Sequence, residues 1–181
     1  MIQKITLNDA KYHKDIIDLL IEAFPWSYSD QTLAKEELDE LLSEEYLLYA
    51  YLLDTRVIGI VGARPAYGNT AFELHPLAVT QNSQRKGIGK LLMEHIEKEA
   101  SKLGCITMFL GTDDEHFRTS LSEENLYDNF FEAIKNIKNY KDHPYTFYEK
   151  QGYKIVGVIP DANGYHKPDI MMAKSIGKKL I

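Results

Sequence analysis

Cysteine is almost missing from this chain. Cys105 is the only one in 181 residues, so no disulfide can form within it, and a reducing cytoplasm is the expected location. Cys105 opens the apolar run Cys105-Ile-Thr-Met-Phe-Leu110 and reads as a small buried residue rather than a nucleophile. Long hydrophobic runs are also lacking. No stretch reaches the roughly 18 apolar residues of a membrane span, and Met1 to Thr6 has no signal-peptide core, so no membrane partner is expected. No Pro/Gly/Ser-rich linker, repeat or low-complexity tract divides the sequence, which predicts one domain over residues 1–181. Positive charge is in deficit: 21 Lys and Arg stand against 27 Asp and Glu, a net charge of −6. That balance argues against nucleic acid as a partner and is compatible with a cationic substrate. The six histidines form no H-x-x-x-H pair and no Cys/His cluster, so no metal is expected.

What the chain does contain is Gln84-Arg85-Lys86-Gly87-Ile88-Gly89, set between an apolar run from Leu74 to Val79 and an amphipathic helix. The helix carries Ile88, Leu91, Leu92, Ile96, Ala100 and Leu103 at helical spacing. A helix that starts at a glycine turn offers free backbone N–H groups and the positive end of its dipole, a site for a pyrophosphate. No Walker lysine followed by Ser or Thr is present, and the third glycine of a dinucleotide fingerprint is absent. Arg85 and Lys86 either supplement the backbone donors at phosphate or are solvated surface charges. The order strand, Q-x-x-G-x-G, helix resembles the acetyl-coenzyme A signature of the GNAT N-acetyltransferases. The resemblance implies that Ala78, Val79, Gln84, Arg85, Lys86, Gly87, Ile88, Gly89 and Lys90 hold acetyl-coenzyme A.

The pattern of apolar periods predicts strands near 2–7, 46–53, 57–66, 72–79, 105–111, 153–159 and 169–175. Helices are expected near 11–24, 30–43, 87–103, 123–138 and 144–151, the fourth opened by a capping box of Ser120 and Glu123. Strands with helices on both sides make an α/β (α+β) domain. Under the resemblance this is the GNAT fold, a mixed and mostly antiparallel sheet with splayed central strands. Pro76 donates no ladder hydrogen bond and marks either a bulge or a sheet edge.

Acyl transfer to an amine needs a base for the ammonium proton, a donor for the developing oxyanion and an acid for the departing thiolate. A period of two places Glu73, His75 and Leu77 on one strand face and Leu74, Pro76 and Ala78 on the other. Glu73 is either the base, directly or through water, or a salt-bridged strand residue. The Leu77 N–H is the candidate oxyanion donor. His75 is a chemical participant or a packed, hydrogen-bonded side chain. Tyr148 lies in Phe147-Tyr148-Glu149-Lys150-Gln151-Gly152-Tyr153, which resembles the GNAT segment whose first tyrosine approaches the coenzyme A sulfur. It is the candidate acid, against the alternative of a packing aromatic among 12 tyrosines.

A narrower resemblance rests on Glu73-Leu-His-Pro-Leu77, Leu110-Gly-Thr-Asp-Asp114, His143-Pro-Tyr145, Phe147-Tyr-Glu-Lys150, Gly152-Tyr-Lys-Ile-Val-Gly-Val158, Ala162-Asn-Gly164 and Lys167-Pro-Asp-Ile170. In this order they are similar to the chromosomal enterococcal type of aminoglycoside 6′-N-acetyltransferase. Phe24-Pro25-Trp26 departs from that type, which has tryptophan directly before the proline, so substrate preference is open there. The resemblance implies direct acetyl transfer to the 6′-amine of an aminoglycoside, hence antibiotic resistance, and a homodimer. Phe24, Trp26, Glu73, Asp113 and Asp114 are the candidate acceptor-binding residues. Asp113 and Asp114 are equally loop-capping candidates, and the acidic run Glu36, Glu37, Asp39, Glu40, Glu44 and Glu45 reads mainly as a solvated face. Two alternatives stand beside this reading: the same chemistry on a protein, peptide or polyamine amine, and a coenzyme A-binding sensor without turnover.

Overall fold

In the computed structural model, residues 1–177 are described. Among the described residues, seven strands and five α-helices form a mixed, mostly antiparallel α/β fold. The chain divides into two compact units, Met1–Met108 with the tail from Ile176, and Phe109–Ser175.

The first unit holds strands β1 (Ile2–Lys4), β2 (Leu47–Leu53), β3 (Arg56–Ala66) and β4 (Ala71–Val79) as antiparallel neighbours in that order. Its helices are α1 (His13–Ala23), α2 (Gln31–Leu41) and α3 (Ile88–Lys102). Strand β2 is buried along most of its length because both its faces are covered. Leu48, Ala50 and Leu52 join the core formed with Ile16, Leu19, Leu20, Ala34 and Leu38 of α1 and α2. Tyr49, on the other face, meets the His95 ring of α3 at 4.5 Å. Helix α2 begins where Asp30 Oδ1 accepts from the Thr32 and Leu33 N–H groups at 2.8 and 3.1 Å.

The face of α3 differs from the expected stripe. Ile88, Leu92, Met93, Ile96 and Ala100 are buried, whereas Leu91 and Leu103 are exposed. The first strand is also shorter than expected, because residues Leu7–Tyr12 turn into a 3₁₀ helix opened by a Thr6–Asp9 capping box.

Pro76 does mark a bulge. Val61 pairs with Leu77 and Ala63 with Leu74, so His75 and Pro76 together oppose Gly62. The His75–Pro76 peptide is cis. A side chain on Gly62 would run into the His75 carbonyl oxygen, and glycine is the residue that leaves that space. The bulge also corrects the expected faces of β4. Directly paired residues share a face, so Leu74 and Leu77 lie together, opposite Glu73 and Ala78, the partners of Arg64 and Ile60.

The second unit contains β5 (Thr107–Asp113, which begins in the first unit), α4 (Phe130–Lys135), α5 (Tyr145–Lys150), β6 (Lys154–Ile159) and β7 (Asp169–Ser175). Its strand order is β5-β7-β6, with β6 and β7 antiparallel. The long helix expected over 123–138 is not formed. Only Phe130–Lys135 is α-helical, because Asn125 takes the Tyr127 N–H at 3.2 Å and bonds Asp128, a local turn that competes with helix. The Ser120–Glu123 capping box is absent too. Thr119 caps a 3₁₀ turn there, Ser120 Oγ accepts from Lys138 N–H at 2.9 Å, and Glu123 accepts from the Tyr140 hydroxyl at 3.0 Å.

Candidate active site

Two features of the first unit adjoin on β4 and the segment that follows it. Ala78 and Val79 end the strand, and Gln84 Nε2 donates back to the Val79 carbonyl at 3.0 Å, which folds the Q-x-x-G-x-G turn against the strand end. Arg85 and Gly87 have φ of 59° and 83°. The left-handed turn at Gly87 makes it the N-cap of α3, and no side chain caps the first N–H groups of Ile88, Gly89 and Lys90. Ile88 itself is buried in the core, so only its backbone faces the turn. Lys86 Nζ donates to the Asn82 carbonyl at 2.7 Å, while Arg85 is exposed. A glycine turn, uncapped N–H groups and adjacent basic side chains fit the pyrophosphate of a coenzyme A.

Upstream of the bulge, β4 carries Glu73 and His75 toward α2. The Arg64 guanidinium bonds Glu73 Oε2 through Nε at 2.9 Å and reaches Glu40 Oε1 through a terminal nitrogen at 3.1 Å. His75 Nε2 lies 3.3 Å from Glu37 Oε1 and 3.4 Å from the Tyr28 hydroxyl. Burial alone would raise the Glu37 carboxyl, but the His75 and Tyr28 contacts outweigh it and hold it below the ordinary carboxylate range. Glu73 is thus a salt-bridged strand residue, paired with Arg64. Phe24 is half-buried, its ring edge-on to Tyr28 at 6.0 Å, and Trp26 is exposed.

In the second unit, Tyr148 sits on α5 with its ring 5.2 Å from Phe147 and 6.0 Å from the fully buried Tyr153. Desolvation raises its phenol to about 12, so it keeps its proton at neutral pH. His143 anchors the start of this helix. Its Nε2 bonds the Asp113 carbonyl at 3.0 Å, and its Nδ1 accepts the Tyr145 N–H at 3.2 Å. Burial lowers the His143 pKa and favours the neutral ring those two bonds require. Asp113 is exposed, with Asn163 bonded to its carboxylate.

Asp114 is not an acceptor-binding group, and that expectation is corrected. It is fully buried, and its carboxylate accepts from Arg118 N–H, Thr119 N–H, Thr119 Oγ1 and Ser122 Oγ at 2.7 to 2.9 Å. Burial would raise this carboxyl, but the four donors hold it below the ordinary range. Its work is to close the loop after β5.

The acidic face of α2 is likewise only partly solvated. Glu37 and Glu40, three residues apart, turn toward β3 and β4, while Glu36 and Asp39 stay exposed. Sequence reasoning missed Arg64, Tyr28 and Tyr46, whose hydroxyl donates to Glu40 at 3.2 Å. Arg64 had a usable signal, since it stands directly opposite Glu73 across the hairpin closed by the turn at 67–70. Tyr28 and Tyr46 had none, because they stand outside the regular elements, one before α2 and one after it, and no periodicity shows which way their hydroxyls turn. Among the described residues, no group of His, Cys, Asp or Glu is arranged to hold a metal ion, and no helix is long and apolar enough to cross a membrane.

The sequence profile of the acetyltransferase (GNAT) family matches residues 13–127, more than half of the chain. The chain belongs to the GNAT acetyltransferase family. This acetyltransferase is also similar over its whole length to solved structures. An aminoglycoside 6′-N-acetyltransferase complexed with coenzyme A is 41% identical, with a TM-score of 0.95, covering 100% of this chain and 99% of that one. The aminoglycoside 6′-N-acetyltransferase from Enterococcus faecium is 41% identical at a TM-score of 0.94, with the same coverage. An aminoglycoside 6′-acetyltransferase type Ii is 37% identical at 0.79, covering 99% of each chain. Among curated proteins no significant match is found.

Proposed function

We propose that this protein transfers the acetyl group of acetyl-coenzyme A to the 6′-amine of aminoglycosides, an antibiotic-resistance activity. The observation that carries the reading is 41% identity over the full chain in two solved structures of aminoglycoside 6′-N-acetyltransferase, one of them complexed with coenzyme A. The resemblance further suggests a homodimer working in the cytoplasm, and we treat residues 1–181 as one functional domain.

When bound, acetyl-coenzyme A supplies an activated acetyl thioester. The Gly87 turn, the N–H groups of Ile88, Gly89 and Lys90, and the Gln84, Arg85 and Lys86 side chains would hold its pyrophosphate, with Ala78 and Val79 along the strand end. Glu73 takes the proton of the acceptor ammonium on its carboxylate, directly or through water, leaving a nucleophilic amine. His75, held by Glu37 and Tyr28, is the further candidate participant beside Glu73. The Leu77 N–H, the first paired residue past the bulge, polarises the acyl oxygen. Tyr148 retains a phenolic proton at neutral pH and delivers it to sulfur as the carbon–sulfur bond breaks, and the second proton shed by the acceptor nitrogen as the amide forms returns to the phenol by way of water. Phe24 and Trp26 remain the proposed acceptor-binding aromatics, and the exposed Asp113 carboxylate is suited to an ammonium.

Thiol release from acetyl-coenzyme A tests this with paired acceptors, one bearing a 6′-amine and one a 6′-hydroxyl, beside spermidine and a basic peptide. Turnover confined to the 6′-amine supports the reading. Turnover with spermidine or the peptide alone keeps the chemistry and replaces the acceptor.

A further inference from the structure

We propose that Arg64 sets the affinity threshold for acceptors: it is an internal cation that occupies an acceptor ammonium position between Glu73 and Glu40. The inference rests on the polycationic acceptor proposed above. Arg64 is near the C-terminal end of β3, and its guanidinium bridges two carboxylates from different elements. Nε and a terminal nitrogen both approach Glu73 Oε2 at 2.9 Å, and the other terminal nitrogen reaches Glu40 Oε1 at 3.1 Å. Both Glu73 contacts fall on one oxygen. An ammonium that gives its proton to Glu73 must approach the same carboxylate, beside a fixed positive charge.

Exposure decides whether that charge can be displaced. The Arg64 side chain is 45% exposed, Glu40 54% and Glu73 30%. Half-exposed pairs of this kind contribute little, because water and salt screen them and the long side chains lose freedom when held. A monoamine gains too little to displace a tethered guanidinium. A rigid ligand with several ammonium groups engages Glu73 and Glu40 together and displaces Arg64 with one binding event. The Tyr46 ring lies 5.8 Å from the Arg64 guanidinium carbon and adds a weak contact to the carboxylate pairs that hold the arginine. Arg64 thus raises the charge an acceptor must carry before it binds well.

The test measures binding apart from turnover. Calorimetric titration of the full chain with spermidine, and with a 6′-amino aminoglycoside, is compared between the native protein, Arg64→Gln and Arg64→Lys at low salt. Because two weak, exposed ion pairs are removed, Arg64→Gln should bind spermidine roughly three- to fivefold more tightly. The more highly charged aminoglycoside, which must displace Arg64 at the same cost in the native protein, should gain at least as much. Arg64→Lys keeps the charge and should stay close to native. Unchanged or weaker spermidine binding by Arg64→Gln overturns the proposal. So does a fall in kcat with all dissociation constants unchanged, which would make Arg64 only a prop for Glu73. If the native protein acetylates no 6′-amino aminoglycoside, the proposed activity fails, and the spermidine titrations still decide Arg64.

Discussion

Replacing Asp114 with asparagine should destabilise the protein by about 3 to 5 kcal/mol, and the geometry shows why. One carboxylate oxygen takes the Arg118 N–H at 2.7 Å, and the other takes Thr119 N–H, Thr119 Oγ1 and Ser122 Oγ at 2.8, 2.8 and 2.9 Å. Every neighbour is a donor, so an amide fits in neither orientation. With its oxygen toward the three donors, its NH₂ faces the Arg118 N–H, and that pairing is lost. A hydrogen bond to a charged group contributes roughly 1.5 to 3 kcal/mol, and a buried donor left unsatisfied costs roughly 1 to 3 kcal/mol more. The remaining three bonds also weaken as the acceptor loses its charge.

Urea unfolding at pH 7 measures the effect as a lower midpoint with an unchanged slope. The pH dependence adds a signature. The folded carboxyl is held below its ordinary value, so its contribution is complete above the unfolded pKa of about 3.9 and is lost as pH falls through the folded value. The gap between native protein and variant should be constant from pH 5 to 8 and narrow below about 4. A variant within ~0.5 kcal/mol of native, or a gap that persists undiminished at acid pH, would refute the reasoning. A raised acceptor KM at unchanged stability would return Asp114 to acceptor binding.

Three further outcomes follow from single residues. Tyr148→Phe should lower turnover roughly 10²-fold with coenzyme A affinity nearly intact, read by pre-steady-state thiol release and calorimetry. Gly87→Ala should cost about 1 to 2 kcal/mol at its φ of 83° and weaken coenzyme A binding, whereas equal affinity would place the pyrophosphate elsewhere. Gly62→Ala should destabilise by roughly 1 to 3 kcal/mol, because its methyl meets the His75 carbonyl; a neutral result in thermal unfolding would mean that the bulge yields.

The sequence made the glycine turn, the long helices and most strands legible because each rests on local signals. Gly87 needs a left-handed φ, and α1 and α3 carry helical periods. Pro76 announced the bulge, yet its consequence was not local. Which residues share a face past it depends on the partner strand, and the pairing of Leu77 with Val61 moved Leu77 away from the face of Glu73. The same limit applied to the acidic residues. Asp113 and Asp114 are adjacent and chemically alike, but one is exposed and the other has four donors supplied by Arg118, Thr119 and Ser122. The segment 123–138 has a helical apolar period, and Asn125 and Asn129 interrupt it through turn geometry that periodicity does not register.

The most direct test is the identity of the product. The purified protein is incubated with acetyl-coenzyme A labelled in the acetyl carbonyl and an aminoglycoside bearing a 6′-amine, and the product is assigned by NMR. The account predicts a single acetamide on the 6′-nitrogen, formed at a rate that collapses in Tyr148→Phe. Acetyl groups on another amine or on a hydroxyl, or no labelled product while coenzyme A still binds, would contradict it.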